Sequence, residues 1–357
     1  MSSASTDVLI LGAGFGGLEL ATRLSESSDP YRVTLIDRSD GFIFGYSKFD
    51  VLFGHKTVDD VTLRYSDFKK PGVEFRREEV LAIDPRTKHV RTGANTYEPD
   101  ILVVALGADY VPFDGHEFYS VEGAARLREV LPSIERGIVQ VGVLGVPFKC
   151  PPAPWEAVFL LHDYFVERGV RNAIDLRIKT PMPSPIPVSP TASQAIISAL
   201  DERGITYEFG HRAVPGSGED YFIAVPLHKA PDVVQASGLT EGGADGWVKV
   251  DPTNLRTPYD GVYALGDCAD APVPRAGTLA ESAARAVADD IGGSLHTPYE
   301  GRGVCFIEFG GGEIGTVNVD FLSGPSPQAP LAGPSRELMA EKIEFGRSRR
   351  ERWFGRN

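Results

Sequence analysis

Val8-Leu9-Ile10-Leu11 is an unbroken apolar run of β-prone residues, the pattern of a strand buried on both faces. Glycines follow at once, Gly12-Ala13-Gly14-Phe15-Gly16-Gly17. Leu18, Leu20, Ala21 and Leu24 then carry helical spacing to Ser25. After a turn at Asp29-Pro30, Val33-Thr34-Leu35-Ile36 predicts a second buried strand ending at Asp37. The alternation continues. Strands are predicted over Asp100–Ala108, Ile138–Gly145, Ile174–Lys179, Ile205–Phe209 and Tyr221–Val225, with a short one near Val262–Leu265. Helices are predicted over Trp155–Arg168, Thr191–Arg203 and Thr278–Ile291. Toward the C-terminus come two strand-like runs, Gly303–Phe309 and Thr316–Phe321. A Pro/Gly/Ser-rich linker, Ser323–Ser335, then leads to a final helix.

Composition narrows the class. With 357 residues the chain exceeds one ordinary core, so two domains and a short third piece are expected. Hydrophobic content of 42% supports packed cores. A net charge of −13 argues against nucleic acid, which needs a basic face. Three cysteines cannot make a disulfide scaffold, and no metal site is expected. No apolar run is long enough to span a membrane. The first apolar run, four residues long, does not read as an export signal, so a cytoplasmic protein is expected.

The first forty residues read as a nucleotide site: strand, G-x-G-x-x-G, helix, strand, acid. Gly12 permits the tight turn, Gly14 lets a pyrophosphate approach the backbone, and Gly17 allows close helix–strand packing. The pyrophosphate would sit on unpaired N–H groups at the helix start. Asp37, twenty residues after Gly17, can accept hydrogen bonds from ribose hydroxyls. The fingerprint does not choose between FAD and NAD, but two later segments do. Asp100–Ala108, containing Gly107, and Thr257–Asp267, ending in Gly266-Asp267, resemble the two further flavin signatures of the two-dinucleotide-binding-domain flavoproteins. That resemblance implies FAD, with Asp267 holding its ribitol chain. The helix that follows would place its N-terminus near the flavin, stabilising negative charge on the reduced ring.

The fold class expected is therefore α/β. Two Rossmann-like domains are expected, the second inserted in the first, plus a small C-terminal segment. The expected boundaries are 1–112 and 252–300 for the FAD-binding domain, 113–251 for the second, and 301–357 for the segment. Proteins of this group carry a second glycine fingerprint for NADH or NADPH. Here the expected place reads Val146-Pro147-Phe148-Lys149-Cys150-Pro151-Pro152-Ala153-Pro154. The phosphate-approach glycines are missing, and four prolines remove N–H donors. The strand Ile174–Lys179 ends in Thr180-Pro181, with no acid for a ribose. The second domain reads as a Rossmann relic, and something other than nicotinamide would reduce the flavin.

Phe148-Lys149-Cys150-Pro151-Pro152-Ala153-Pro154-Trp155-Glu156 resembles a motif of the flavoprotein subunit of flavocytochrome c sulfide dehydrogenase. The sulfide:quinone oxidoreductases carry a looser version. The resemblance runs from Val8 to about Phe321. It implies a redox-active disulfide beside the flavin, with Cys150 as one sulfur and Cys305 as the other. It also implies a small sulfur donor, and a quinone or small electron carrier as acceptor. Glu156 matches an acid that assists proton transfer in the quinone-reducing relatives. Such chemistry requires thiols within disulfide reach. A helix start and the adjacent Lys149 would favour a Cys150 thiolate. Plainer readings stand beside these: a buried cysteine is commonly a small hydrophobe, and Glu156 could be a first-turn acid. Cys268 reads as structural, and so does His228, in a Pro226–Pro231 segment of loop character. The relatives' additional N-terminal cysteine is absent, so FAD is expected to be noncovalent.

Two other functions remain open: a type II NADH dehydrogenase-like enzyme, or a flavin-binding electron carrier or redox-responsive interaction protein without turnover. The tail Gly346–Arg356 holds five arginines against one glutamate, beside Trp353 and Phe354. It suits peripheral contact with an anionic membrane on the inner face, at about 1 kcal/mol per basic charge. The preferred reading is a helix packing Leu338, Met339, Ile343 and Trp353 on its own body, its arginines paired with surface acids. The oligomeric state is not legible.

Overall fold

The computed structural model describes residues 5–293 and 298–355. The chain lays down β1 (Thr6–Leu11), α1 (Phe15–Ser25), β2 (Tyr31–Asp37), α2 (Ser47–Leu52), β3 (Val73–Arg77) and β4 (Ile101–Val104). Next come β5 (His116–Glu117), β6 (Gly137–Val143), α3 (Ala153–Glu167), β7 (Ile174–Lys179), α4 (Pro190–Glu202), β8 (Thr206–Glu208) and β9 (Tyr221–Val225). Then β10 (Val262–Ala264), α5 (Gly277–Ile291), β11 (Arg302–Gly310), β12 (Glu313–Asp320), β13 (Leu331–Ser335) and α6 (Met339–Phe354) follow.

Two parallel five-stranded sheets result, ordered β10-β4-β1-β2-β3 and β5-β9-β6-β7-β8. The fold is α/β with two Rossmann-like units. The first sheet joins strands from both ends of the sequence, because β10 lies beside β4 in register Val262↔Leu102. The inner strands β1, β4, β6 and β9 are buried over most of their length, as their continuous apolar runs require. Helix α3 starts at Ala153, earlier than Trp155, because Pro152 and Pro154 occupy N-terminal positions where proline's missing N–H costs nothing.

Three local expectations change. The Ser323–Ser335 stretch is not all linker, since Leu331–Ser335 pairs antiparallel with β12. Its Pro334 is tolerated because β13 is an edge strand. His228 lies in a two-residue strand paired with Asp109-Tyr110 rather than in a loop. The tail forms α6, but its packing face is Lys342, Phe345, Gly346, Trp353 and Phe354, while Ile343 is 64% exposed.

Helix α6 agrees with the preferred reading of the tail, a helix packed on the protein's own body. Trp353 is fully buried and donates Nε1–H to Glu19 at 3.0 Å, so its ring cannot lie among headgroups. Arg352 pairs with Glu19 and Glu26, Arg349 with Glu281, and Arg347 with Glu344 and Glu351. Arg356 lies outside the described residues. Among the described residues no helix is long and apolar enough to cross a membrane. The C-terminal residues divide between two cores. Phe345, Trp353 and Phe354 join the core of the first sheet, and Ile307, Phe309 and Val317 that of the second.

Candidate functional site

The carboxyl ends of β1, β2, β4 and β10 open on one cavity of about 630 Å3, where ligands of open parallel sheets bind. The three glycines after β1 act differently. Gly12 has φ +103°, and a Cβ there would lie 2.2 Å from the Ala105 carbonyl oxygen. A Cβ on Gly17 would lie 1.9 Å from the Gly12 carbonyl oxygen, so helix and turn touch through backbone alone. Gly14 would meet nothing within 4 Å and lines the cavity. It is also the N-cap of α1 and gives it no side-chain cap, which leaves first-turn N–H groups for an anion.

Asp37 lines the same cavity at the end of β2. Its Oδ2 accepts from the Ala13 N–H at 2.8 Å and its Oδ1 from Ser39, so the carboxylate is held in place. Gly107 and Gly266 have φ +69° and +73° and line the cavity where the chain leaves β4 and β10. Asp267 is there too. Burial pushes its carboxyl up, against the opposing charges of Lys149, Arg275 and Lys48. The uncapped start of α5, Gly277-Thr278, forms another wall. An open glycine, an uncapped helix start, a fixed acid at the second strand and a second uncapped helix start together fit FAD.

The other end of the cavity holds sulfur. Cys150, Cys305 and Glu156 all line it, although β11 brings Cys305 from 155 positions beyond Cys150. Both thiols are free. Cys150 has φ +55°, unusual for a residue with a side chain. It is pinned there by its N–H to the Arg275 carbonyl at 2.7 Å and its carbonyl to the Ala153 N–H at 2.9 Å. The expected thiolate is not favoured. Burial pushes the Cys150 thiol far up, and Glu156 and Cys305 add to this, while Lys48 and the Ala153 N–H oppose it. Lys149 does not help, because its ammonium lies 4.6 Å over the Tyr110 ring. Burial, then Glu156, lifts the Cys305 thiol to about 12. Burial also lifts the Glu156 carboxyl to about 7, against the Lys342 charge. Its Oε1 accepts the Glu308 N–H at 3.2 Å, tying α3 to β11. Glu156 can therefore hold or release a proton near neutrality beside two sulfurs.

Several residues at this end were not singled out from sequence. Lys48 on α2 lines the cavity, donates to the Tyr119 carbonyl, and is pushed down to about 7 by burial and by Lys149. Tyr119, 4% exposed, has a hydroxyl with no hydrogen-bond partner among the described residues. Lys342 of α6 pairs with Glu308. A single lysine in a short helix gives no local signal, since its neighbours come from distant segments. His228 is wedged between the Tyr110 and Tyr119 rings and is pushed down to about 3 by burial, so it stays neutral. Cys268 is fully buried, its thiol 3.4 Å from the Val104 and Leu265 carbonyls.

After β6, where a second dinucleotide would sit, side chains fill the space. Phe148 and Trp155 are buried, and the indole donates to the Pro185 carbonyl at 3.1 Å. Thr180 at the end of β7 is 1% exposed, its hydroxyl accepting from the Met182 N–H.

Comparison with known proteins agrees with this geometry. Residues 6–137 match the family model described as pyridine nucleotide-disulphide oxidoreductase. A mitochondrial sulfide:quinone oxidoreductase of Mus musculus is 23% identical, covering 75% of this chain and 67% of the relative. A type II NADH:quinone oxidoreductase of Staphylococcus aureus is 25% identical, covering 82% and 83%. The solved sulfide:quinone oxidoreductase of Aquifex aeolicus superposes with a TM-score of 0.85 at 20% identity, over 98% of this chain and 92% of that one. Fold and site together resemble those of FAD-dependent oxidoreductases. Within that class the chain resembles the sulfide:quinone oxidoreductases.

Proposed function

We propose that the protein oxidises sulfide or a related sulfur donor through Cys150 and Cys305 and passes the electrons to a quinone or a small electron carrier. The proposed FAD-binding domain is 1–112 with 252–300, the relic domain 113–251, and the C-terminal segment 301–357. FAD would be held noncovalently by Gly12, Gly14, Gly17, Asp37, Gly107, Gly266 and Asp267. When bound, it supplies the two-electron acceptor for the sulfurs. The observation that carries this reading is that Cys150, Cys305 and Glu156 share one cavity with the glycine cradle. The quinone is supported by what the relatives' names say they reduce.

In the oxidised protein the two cysteines form a disulfide. Hydrosulfide attacks it. A new S–S bond forms on Cys150, the old one breaks, and Cys305 leaves with the electron pair as a thiolate. Glu156 stands beside both sulfurs and gives the proton that a buried thiolate needs, since burial disfavours the charged sulfur.

A second reading, a type II NADH dehydrogenase-like activity, is favoured by the Staphylococcus aureus relative. Stopped-flow mixing of the anaerobic holoprotein with sulfide, then separately with NADH, separates the two. Bleaching of the flavin by sulfide and not by NADH is expected. Stoichiometric bleaching by NADH overturns the sulfur reading. Failure of both, and of thiols, leaves a flavin-binding electron carrier or redox-responsive interaction protein.

A further inference from the structure

Ala13 stands between Gly12 and Gly14 in the turn after β1 and is fully buried. Both polar groups of its backbone are taken. Its N–H donates to Asp37 at 2.8 Å, and its carbonyl accepts from the Tyr65 hydroxyl at 2.7 Å. Tyr65 comes from a short helical turn, Tyr65–Asp67, 52 positions further along the chain. Its own N–H donates to the Asp40 carbonyl at 3.0 Å, and its carbonyl accepts from the Phe68 N–H at 3.0 Å. Its ring centroid lies 4.7 Å from that of Phe75 on β3. The tyrosine is thus held along its whole length. Burial, then the Asp37 and Asp40 charges, pushes the phenol well above its ordinary titration, so it stays a donor.

A trans peptide is planar, and its C=O and N–H point in opposite directions. The bond from Tyr65 to the Ala13 carbonyl therefore turns the Gly14 N–H away from the phenol. That N–H donates to no group among the described residues. Gly14 lines the cavity at the N-cap of α1, with open space where a Cβ would be. The bond from Ala13 to Asp37 fixes the preceding peptide in the same way, and the Gly12 carbonyl of that peptide lies against Gly17. Two side chains from separate segments thus set two successive peptide planes. One plane packs the turn on the helix, and the other leaves a spare donor at a helix start, where anions bind.

We propose that Tyr65 is a positioning residue for the pyrophosphate of FAD, its hydroxyl aiming the Gly14 N–H at the anion by holding the Ala13 carbonyl. This rests on the reading of the glycine cradle as an FAD site and is independent of the sulfur chemistry. Tyr65→Phe removes one oxygen and keeps the ring. It leaves a buried carbonyl unpaired and frees the Ala13–Gly14 peptide to rotate.

The test dilutes the holoprotein in steps, with flavin fluorescence reporting released FAD, and follows thermal unfolding of the same samples. In Tyr65→Phe the FAD dissociation constant should rise about tenfold. Phe75→Leu is the control, since it loosens the packing of the same ring and keeps the hydroxyl bond. It should lower the melting temperature while its FAD affinity stays near that of wild type. An unaltered dissociation constant in Tyr65→Phe overturns the proposal. So does an equal loss of affinity in Phe75→Leu, because the tyrosine would then act on stability alone. A wild type that holds no FAD takes down the FAD reading and the proposal with it. A wild type that holds FAD beside an unaffected Tyr65→Phe takes down the proposal alone.

Discussion

Burial, opposed by the Lys342 ammonium, lifts the Glu156 carboxyl from 4.5 to about 7. Between those values the folded protein keeps a proton that the unfolded chain has lost. This residue's contribution to stability therefore declines as pH rises through that window, and the loss is complete above it. Glu156→Gln removes the effect. Its melting temperature should exceed that of wild type by more at about pH 8 than at about pH 5, measured by thermal unfolding at each pH. Catalysis should move with the same group. If the protonated carboxyl supplies the leaving sulfur, flavin reduction by sulfide falls above about pH 7 in wild type, and Glu156→Gln is slow and flat across that range. A variant that keeps the wild-type profile would assign the proton to another group. Glu156 was named from the resemblance of the Phe148–Glu156 stretch. Its shifted titration was not legible there, because that depends on β11 and α6 closing over it.

The glycine turn between β1 and α1 is an element whose parts can be separated by substitution. Gly17→Ala puts a methyl 1.9 Å from a backbone oxygen, which nothing flexible can relieve. Gly14→Ala puts it in open cavity. The first should lose both FAD and cooperative unfolding, and the second should fold normally yet retain less FAD, measured by flavin absorbance and denaturant titration. Equal behaviour of the two would contradict the roles given to them. This unit was readable in sequence because strand, turn, helix and acid are contiguous and each has a local signature. Elements made by distant pairing were not. Strand β13 hides behind Gly333-Pro334 and exists only because β12 offers an edge. The packing face of α6 was misread because Glu19, from the opposite end of the chain, captures Trp353 and leaves Ile343 outside.

At the scale of the molecule, one cavity joins the two Rossmann-like units and the C-terminal segment. The first sheet contributes the cradle, the start of α3 contributes Cys150 and Glu156, and β11 contributes Cys305. The proposed pairing of Cys150 with Cys305 comes from resemblance rather than from pattern, and Lys48 and Tyr119 emerge only once the chain is folded. In the proposed reaction electrons enter at this cavity, since buried side chains occupy the space after β6. The most direct measurement is anaerobic titration of the yellow holoprotein with sulfide, repeated on Cys150→Ser. Complete bleaching of the wild-type flavin, and none in the variant at equal FAD content, is the predicted result. Equal bleaching of both would take Cys150 out of the reaction and contradict the account.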